Sequence, residues 1–189
     1  MSRVEPVEEP YSPDVAASLA KWTLPDFDGE PPLLFRVFHV HPELASRCRV
    51  MGAGLLAHGR LPDWDRELIV DRITGRYGAL QEWGMHATFY SPPAGLTEKH
   101  IQATAAGPSS DDGLFSQADL ELFDAVDELC DTTELKDDTW ERLAARYDEK
   151  QLVEFIILVG WYRMISSLCN GLRLPAETYH PQHPTRAGY

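Results

Sequence analysis

Apolar positions recur along most of the chain at helical rather than strand spacing. After Pro32 they return every three to four residues, with prolines and acidic residues opening the runs and glycines near their ends. The spacing predicts helices over residues 32–39, 42–58, 62–77, 79–90, 97–105, 116–130, 136–147 and 148–170. No run of alternating β-branched residues predicts a strand, so the fold class read from the pattern is all-α. Residues 1–31 read as an N-terminal arm: the acidic EPVEEPYSP, a short amphipathic piece over 14–22, and the breaker-rich LPDFDGEPP. Residues 32–175 then make one helical domain and 176–189 a C-terminal tail. The turn-forming AAGPSSDDGLFS, between Ala105 and Ser116, divides the front of the domain from its back.

The last helix is apolar nearly all round, through Leu152, Val153, Phe155, Ile156, Ile157, Leu158, Val159 and Trp161, which predicts burial on several sides. A subunit interface or the centre of a monomeric core would each satisfy that. Its uninterrupted run FIILVGWY falls short of the ~20 residues that span a bilayer. A chain of 189 residues buries a single core without needing disulfides or metal. Seventeen basic residues against thirty acidic ones, a formal charge of −13, argue against nucleic acid and membrane surfaces as partners. Cys48, Cys130 and Cys169 are far apart and form no CxxC, as suits reduced thiols in a cytosol. MSRVEPVEEPYSP lacks the apolar segment of a signal peptide, so the expected location is cytoplasmic.

Chemistry concentrates in GALQEWGMHATFY, residues 78–90, where Glu82 and His86 stand one helical turn apart among aromatic residues. At ~100° per residue, the helix over 62–77 puts Asp65, Arg72 and Arg76 on a solvent face. Glu67 lies opposite Arg76, on a stripe shared with Asp71 and Thr74. On the next helix His86 shares its stripe with Ala79, Glu82, Trp83, Phe89 and Tyr90, while Gln81, Gly84 and Thr88 lie opposite. An unpaired buried carboxylate is costly or is neutralised, so Glu67, Glu82 and His86 need each other or a ligand. Such a cluster can hold protons near neutral pH, the condition for general acid–base catalysis. A structural alternative has Glu82 and His86 bonded to each other in the core and Glu67 paired elsewhere. GAGLLAHG, at 52–59, reads as helix packing by small residues, not a phosphate loop. His58 suits a helix C-terminus. DELCDTTELKDD reads as a solvated acidic connection. The pairs His39 with His41 and His180 with His183 lack acids or cysteines at ligand spacing, so no metal site is expected.

The segment DRELIVDRITGRYGALQEWGMHATFY, residues 65–90, resembles the signature of the carboxymuconolactone decarboxylase family, within the AhpD-like superfamily that also holds alkylhydroperoxidases. An R-E-L start, an apolar helix and E-W-x-x-H carry the likeness. GLTEKHIQA, at 95–103, and DDTWERLAARYDEKQLVEFIILVGWYRMISSL, at 137–168, extend it more loosely. The resemblance implies an all-α AhpD-like domain of about eight helices, assembled as a homotrimer or homohexamer and working on a small molecule without a cofactor. Its peroxidase branch has a glutamate, a C-x-x-C pair and a histidine. Aligned on His86, those thiols fall at Ala79 and Glu82 and the glutamate at Glu67, so neither thiol is present. The decarboxylase-like branch implies His86 as proton donor, Glu82 orienting it and raising its pKa, and Glu67 as a second acid–base group or water holder. Trp83, Phe89 and Tyr90 would exclude water. Arg66 is the arginine best placed for a substrate carboxylate. The leading expectation is acid–base chemistry (decarboxylation, isomerisation or ring opening) on a small unsaturated lactone or related ring. Hydroperoxide reduction by an atypical thiol and a non-catalytic oligomeric ligand-binding protein are the alternatives.

Overall fold

Most helix starts are fixed by side chains that accept the amide hydrogens an α-helix leaves unpaired in its first turn. Ser12, His41, Thr97, Ser116 and Asp148 each do this. Thr97, Ser116 and Asp148 also close reciprocal capping boxes with His100, Asp119 and Gln151. The structure is a computed structural model that describes residues 2–23, 27, 29–108 and 113–184. Among the described residues there are nine α-helices and no strand: α1 (Pro13–Leu19), α2 (Leu33–Phe38), α3 (Pro42–His58), α4 (Asp63–Arg76), α5 (Leu80–Phe89), α6 (Glu98–Ala106), α7 (Gln117–Thr132), α8 (Asp137–Arg146) and α9 (Glu149–Leu172). The eight predicted helices are present with ends within two residues of expectation, and α1 is the amphipathic piece of the arm. Parts of LPDFDGEPP, of AAGPSSDDGLFS and of the tail lie outside the described residues.

The centre of the bundle is α4, packed against α5, α6, α7 and α9. Its Leu68, Ile69, Val70 and Ile73 are fully buried in the main core with Trp83, Phe123, Phe155 and Leu158. At Gly75 a side chain would meet α6, because a Cβ there would lie 2.6 Å from the Cβ of Ala105. A smaller core joins α2 and α3 to α9 through Leu34, Phe38, Ala45, Ile165 and Cys169.

The expected solvent face of α4 is not one. Asp65 is buried, accepting from Tyr147 Oη at 2.6 Å and Arg146 Nη2 at 2.5 Å. Arg72 grips Asp127 of α7 with two bonds of 2.9 and 2.6 Å, and Arg76 pairs with Asp127 and Asp131. Periodicity identified this stripe as polar; it carried no information about the acidic face of α7 that covers it.

With 24 residues and a mean hydropathy of 1.6 over its most apolar window, α9 has the length and composition of a membrane span. Its packing is that of a bundle helix, against α3, α4, α5, α7 and α8. Glu154 caps the turn into α4 by accepting from the amides of Arg60 at 2.6 Å and Leu61 at 3.3 Å. One apolar stripe of α9 stays exposed: Val153, Ile156, Ile157 and Met164, with Gly160 among them.

Candidate active site

Two helices meet at the site because the chain turns back sharply between them. Gly78, at φ 60°, takes the left-handed conformation that side-chain-bearing residues rarely adopt. The amide of Ala79 returns to Thr74 O at 2.8 Å. This lays α5 against α4 and sets Glu82 and His86 beside Glu67.

His86 is held on both ring nitrogens. Its Nδ1 donates to Glu67 Oε2 at 2.7 Å, and its Nε2 lies 3.0 Å from the hydroxyl of Tyr162 on α9. Glu82 Oε1 stands 3.7 Å from the same Nε2, and Tyr90 stacks on the ring with centroids 4.7 Å apart. Glu67, fully buried, also accepts from Arg66 Nε at 2.8 Å. The orienting carboxylate is thus Glu67, on Nδ1, whereas the sequence assigned that role to Glu82. The i, i+4 spacing brings Glu82 only to the far side of the ring.

The charges follow from these contacts. Burial raises the Glu67 carboxyl, but the His86 charge and hydrogen bond, with Arg66, outweigh it and hold Glu67 below the usual carboxylate range. Burial likewise opposes a charge on His86, and Glu67 outweighs it, so His86 is raised above 6.5. Each thus favours the charged form of the other. Glu82 goes the other way: burial raises its pKa, with His86 only partly offsetting. One turn along α4, Asp71 is fully buried and pushed up to about 8 by burial reinforced by the Glu67 charge. It accepts from Ser91 Oγ at 2.8 Å, and its other oxygen has no hydrogen-bond partner among the described residues. Burial also holds the phenols of Tyr162 and Tyr90 protonated, that of Tyr90 at about 12.

The Nε2 side of His86 opens into a cavity of about 340 Å³, at the small end of the ~300–1,000 Å³ typical of ligand pockets. Glu82, His86, Tyr90 and Tyr162 line its buried end, and Trp22, Phe35, Phe38, Leu56 and Trp161 build its walls. Glu67 stands behind His86, outside the cavity. Three more of the residues singled out from sequence do not line it. Arg66 is engaged by Glu67 and Asp63. Trp83 is buried against Gly75 and the ring of His183, and Phe89 packs on Phe27 and Tyr179.

Sequence reading placed Asp71 on the Glu67 stripe without giving it a role. It missed Tyr162, whose one signal is a hydroxyl inside an apolar run, and the walls contributed by α2, α3 and the arm. GAGLLAHG does serve packing: Gly52 lets α3 approach Trp161, whose ring would lie 3.0 Å from an added Cβ. His39 is a core residue bonded to Phe35 O and Ser18 Oγ, and His41 caps α3.

Two solved structures share this architecture. One is a protein of unknown function from Agrobacterium tumefaciens, described as a candidate antioxidant defence protein AhpD. It matches with a TM-score of 0.64 and 21% identity over 74% of this chain and 94% of its own. The other, an uncharacterised peroxidase-related protein from Silicibacter sp. TM1040, matches with a TM-score of 0.76 and 10% identity over 95% of this chain and 93% of its own. The chain has the AhpD-like fold. No protein-family model and no curated protein matches its sequence.

Proposed function

We propose that the cavity is the active site of a cytoplasmic, cofactor-independent acid–base enzyme acting on a small unsaturated lactone or related cyclic compound. The supporting observation is His86 itself, ion-paired on Nδ1 with Glu67 and facing an apolar cavity on Nε2 beside a protonation-prone Glu82. When a bond to a substrate carbon breaks, its electron pair moves into a conjugated carbonyl as an enolate. Glu82 in its protonated form and the Tyr162 hydroxyl donate hydrogen bonds to that oxygen, and His86 Nε2 delivers the proton to carbon. Glu67 keeps the imidazolium charged and its ring fixed. His86→Ala is expected to lower kcat by about 100-fold or more, with Glu82→Gln shifting the pH profile. Turnover of a lactone panel that is unaffected by His86→Ala would sink this assignment.

A second reading is supported by Cys48, half-buried on the wall of the same cavity, and by the likeness to an AhpD-type candidate antioxidant defence protein and a peroxidase-related protein. A thiolate there would attack a hydroperoxide, releasing an alcohol and leaving a sulfenic acid. Burial raises the Cys48 pKa, which works against that step. Hydroperoxide consumption abolished by Cys48→Ser and retained in His86→Ala would favour this reading over the first.

The exposed apolar stripe of α9 supports assembly with further copies of this chain.

A further inference from the structure

We infer that Arg49, with Lys21, is the anion anchor of the cavity, and that its ligand is a small carboxylate with an apolar body. The carboxylate sits at the mouth and the reacting end lies against Glu82 and His86. The inference rests on the acid–base reading proposed above, and it supplies the cation that reading needs.

The cavity has a chemical direction. Glu82 and His86, both nearly inaccessible, line its inner end, while Lys21 is exposed and Arg49 half-exposed among its lining residues. Aromatic and aliphatic side chains lie between the two ends, and among the described residues Glu82 is the only acid on the wall. The arginine suggested by sequence, Arg66, is unavailable, because Glu67 and Asp63 occupy it. Arg49 spends only Nε, which donates to Lys21 O at 3.1 Å. Its two Nη groups, and Lys21 Nζ, carry no hydrogen bond or ion pair among the described residues, whereas Arg36, Arg66, Arg72, Arg76 and Arg146 are all ion-paired. In a chain of net charge −13, two cations at a pocket mouth with no acid beside them on its wall among the described residues make a local positive field that favours an anion. A planar guanidinium with both amino groups free suits a carboxylate bound through two oxygens. The volume of 340 Å³ equals about eleven waters at ~30 Å³ each, room for roughly ten non-hydrogen atoms.

The test is calorimetric binding of three probes of near-equal size: 3-phenylpropionate, 3-phenylpropanamide and 3-phenylpropylammonium. The acid is expected to bind about tenfold or more tightly than the amide. A double variant, Arg49→Gln with Lys21→Gln, is expected to bring the acid down to the amide and leave the amide within about twofold. Arg49→Lys, which keeps the charge and loses the fork, should retain only part of the preference. Thermal melts establish that each variant is folded, as expected for side chains at the surface.

Equal binding of acid and amide, tightest binding of the ammonium, binding of none of the three, or a preference that survives the double variant would each overturn the inference. Glu82→Gln and His86→Ala separate it from the functional reading. An Arg49-dependent acid preference in an enzyme whose turnover ignores His86 keeps the anchor and removes the chemistry. His86-dependent turnover indifferent to Arg49 does the reverse.

Discussion

His86 carries its charge because of Glu67, since burial alone would remove it. Glu67→Gln keeps the shape of the pair and deletes the charge. The His86 titration followed by NMR is expected to fall by about one pH unit or more; an unchanged titration would place the source of the charge elsewhere. The pair also has a pH window. Glu67, depressed in the fold, adds stability above its usual 4.5 that is lost as pH falls through its folded value. His86, raised in the fold, adds stability below 6.5 that is lost as pH rises through its folded value. Asp71 works against folding on the alkaline side, because a carboxyl raised from 3.8 to about 8 binds its proton more tightly in the native state, and stability drops as pH rises across that interval. Asp71→Asn keeps an acceptor for Ser91 and removes the titration. It is expected to gain ~1–3 kcal/mol at pH 8 and flatten the decline in melting temperature as pH rises toward about 8. A variant with the same slope as the parent would show that Asp71 does not titrate there.

Helix contacts turn on two positions of opposite character. At Gly75, alanine would gain ~1 kcal/mol of helix propensity. The added methyl, however, would meet the backbone of α6, 2.8 Å from Ala105 Cα, and backbone cannot swing aside. Overpacking wins, and Gly75→Ala is expected to cost ~1–3 kcal/mol in urea unfolding. Glu154→Ala on α9 strips the partners from the Arg60 and Leu61 amides at the entry to α4, with an expected loss of ~1–3 kcal/mol. The sequence made the helices legible because their starts are written locally, in Ser116 and Asp148, in Pro42 opening α3 and in Pro62 just ahead of α4. It also placed Glu67, Glu82 and His86 on facing stripes. It could not show which nitrogen of His86 each acid approaches, because that depends on the rotation of α5 about its axis. Nor could it show that Asp127 of α7 would cover Arg72, or that Arg49 would line the pocket, since those pairings join segments distant in sequence.

For the whole molecule, the exposed stripe of α9 is the surface that an assembly would cover. Ile156, 44% exposed, and Val153, 58% exposed, lie on it one turn apart. Ile156→Asp is expected to reduce the mass measured by light scattering toward that of a single chain while leaving helicity intact; a mass unchanged by the variant would move the contact elsewhere. The wall of the cavity contributed by Lys21, Trp22 and Thr23 has a separate consequence. These residues follow α1, a seven-residue helix in which only Leu19 is buried, whereas nine residues of α4 are buried. Amide hydrogens in α1 should therefore exchange with deuterium through a local opening of low free energy, while those of α4 wait for global unfolding. A ligand that fills the cavity should slow the first and leave the second unchanged. Its arrival and departure would then be timed by the opening of α1 and residues 21–23, independently of the His86–Glu67 pair.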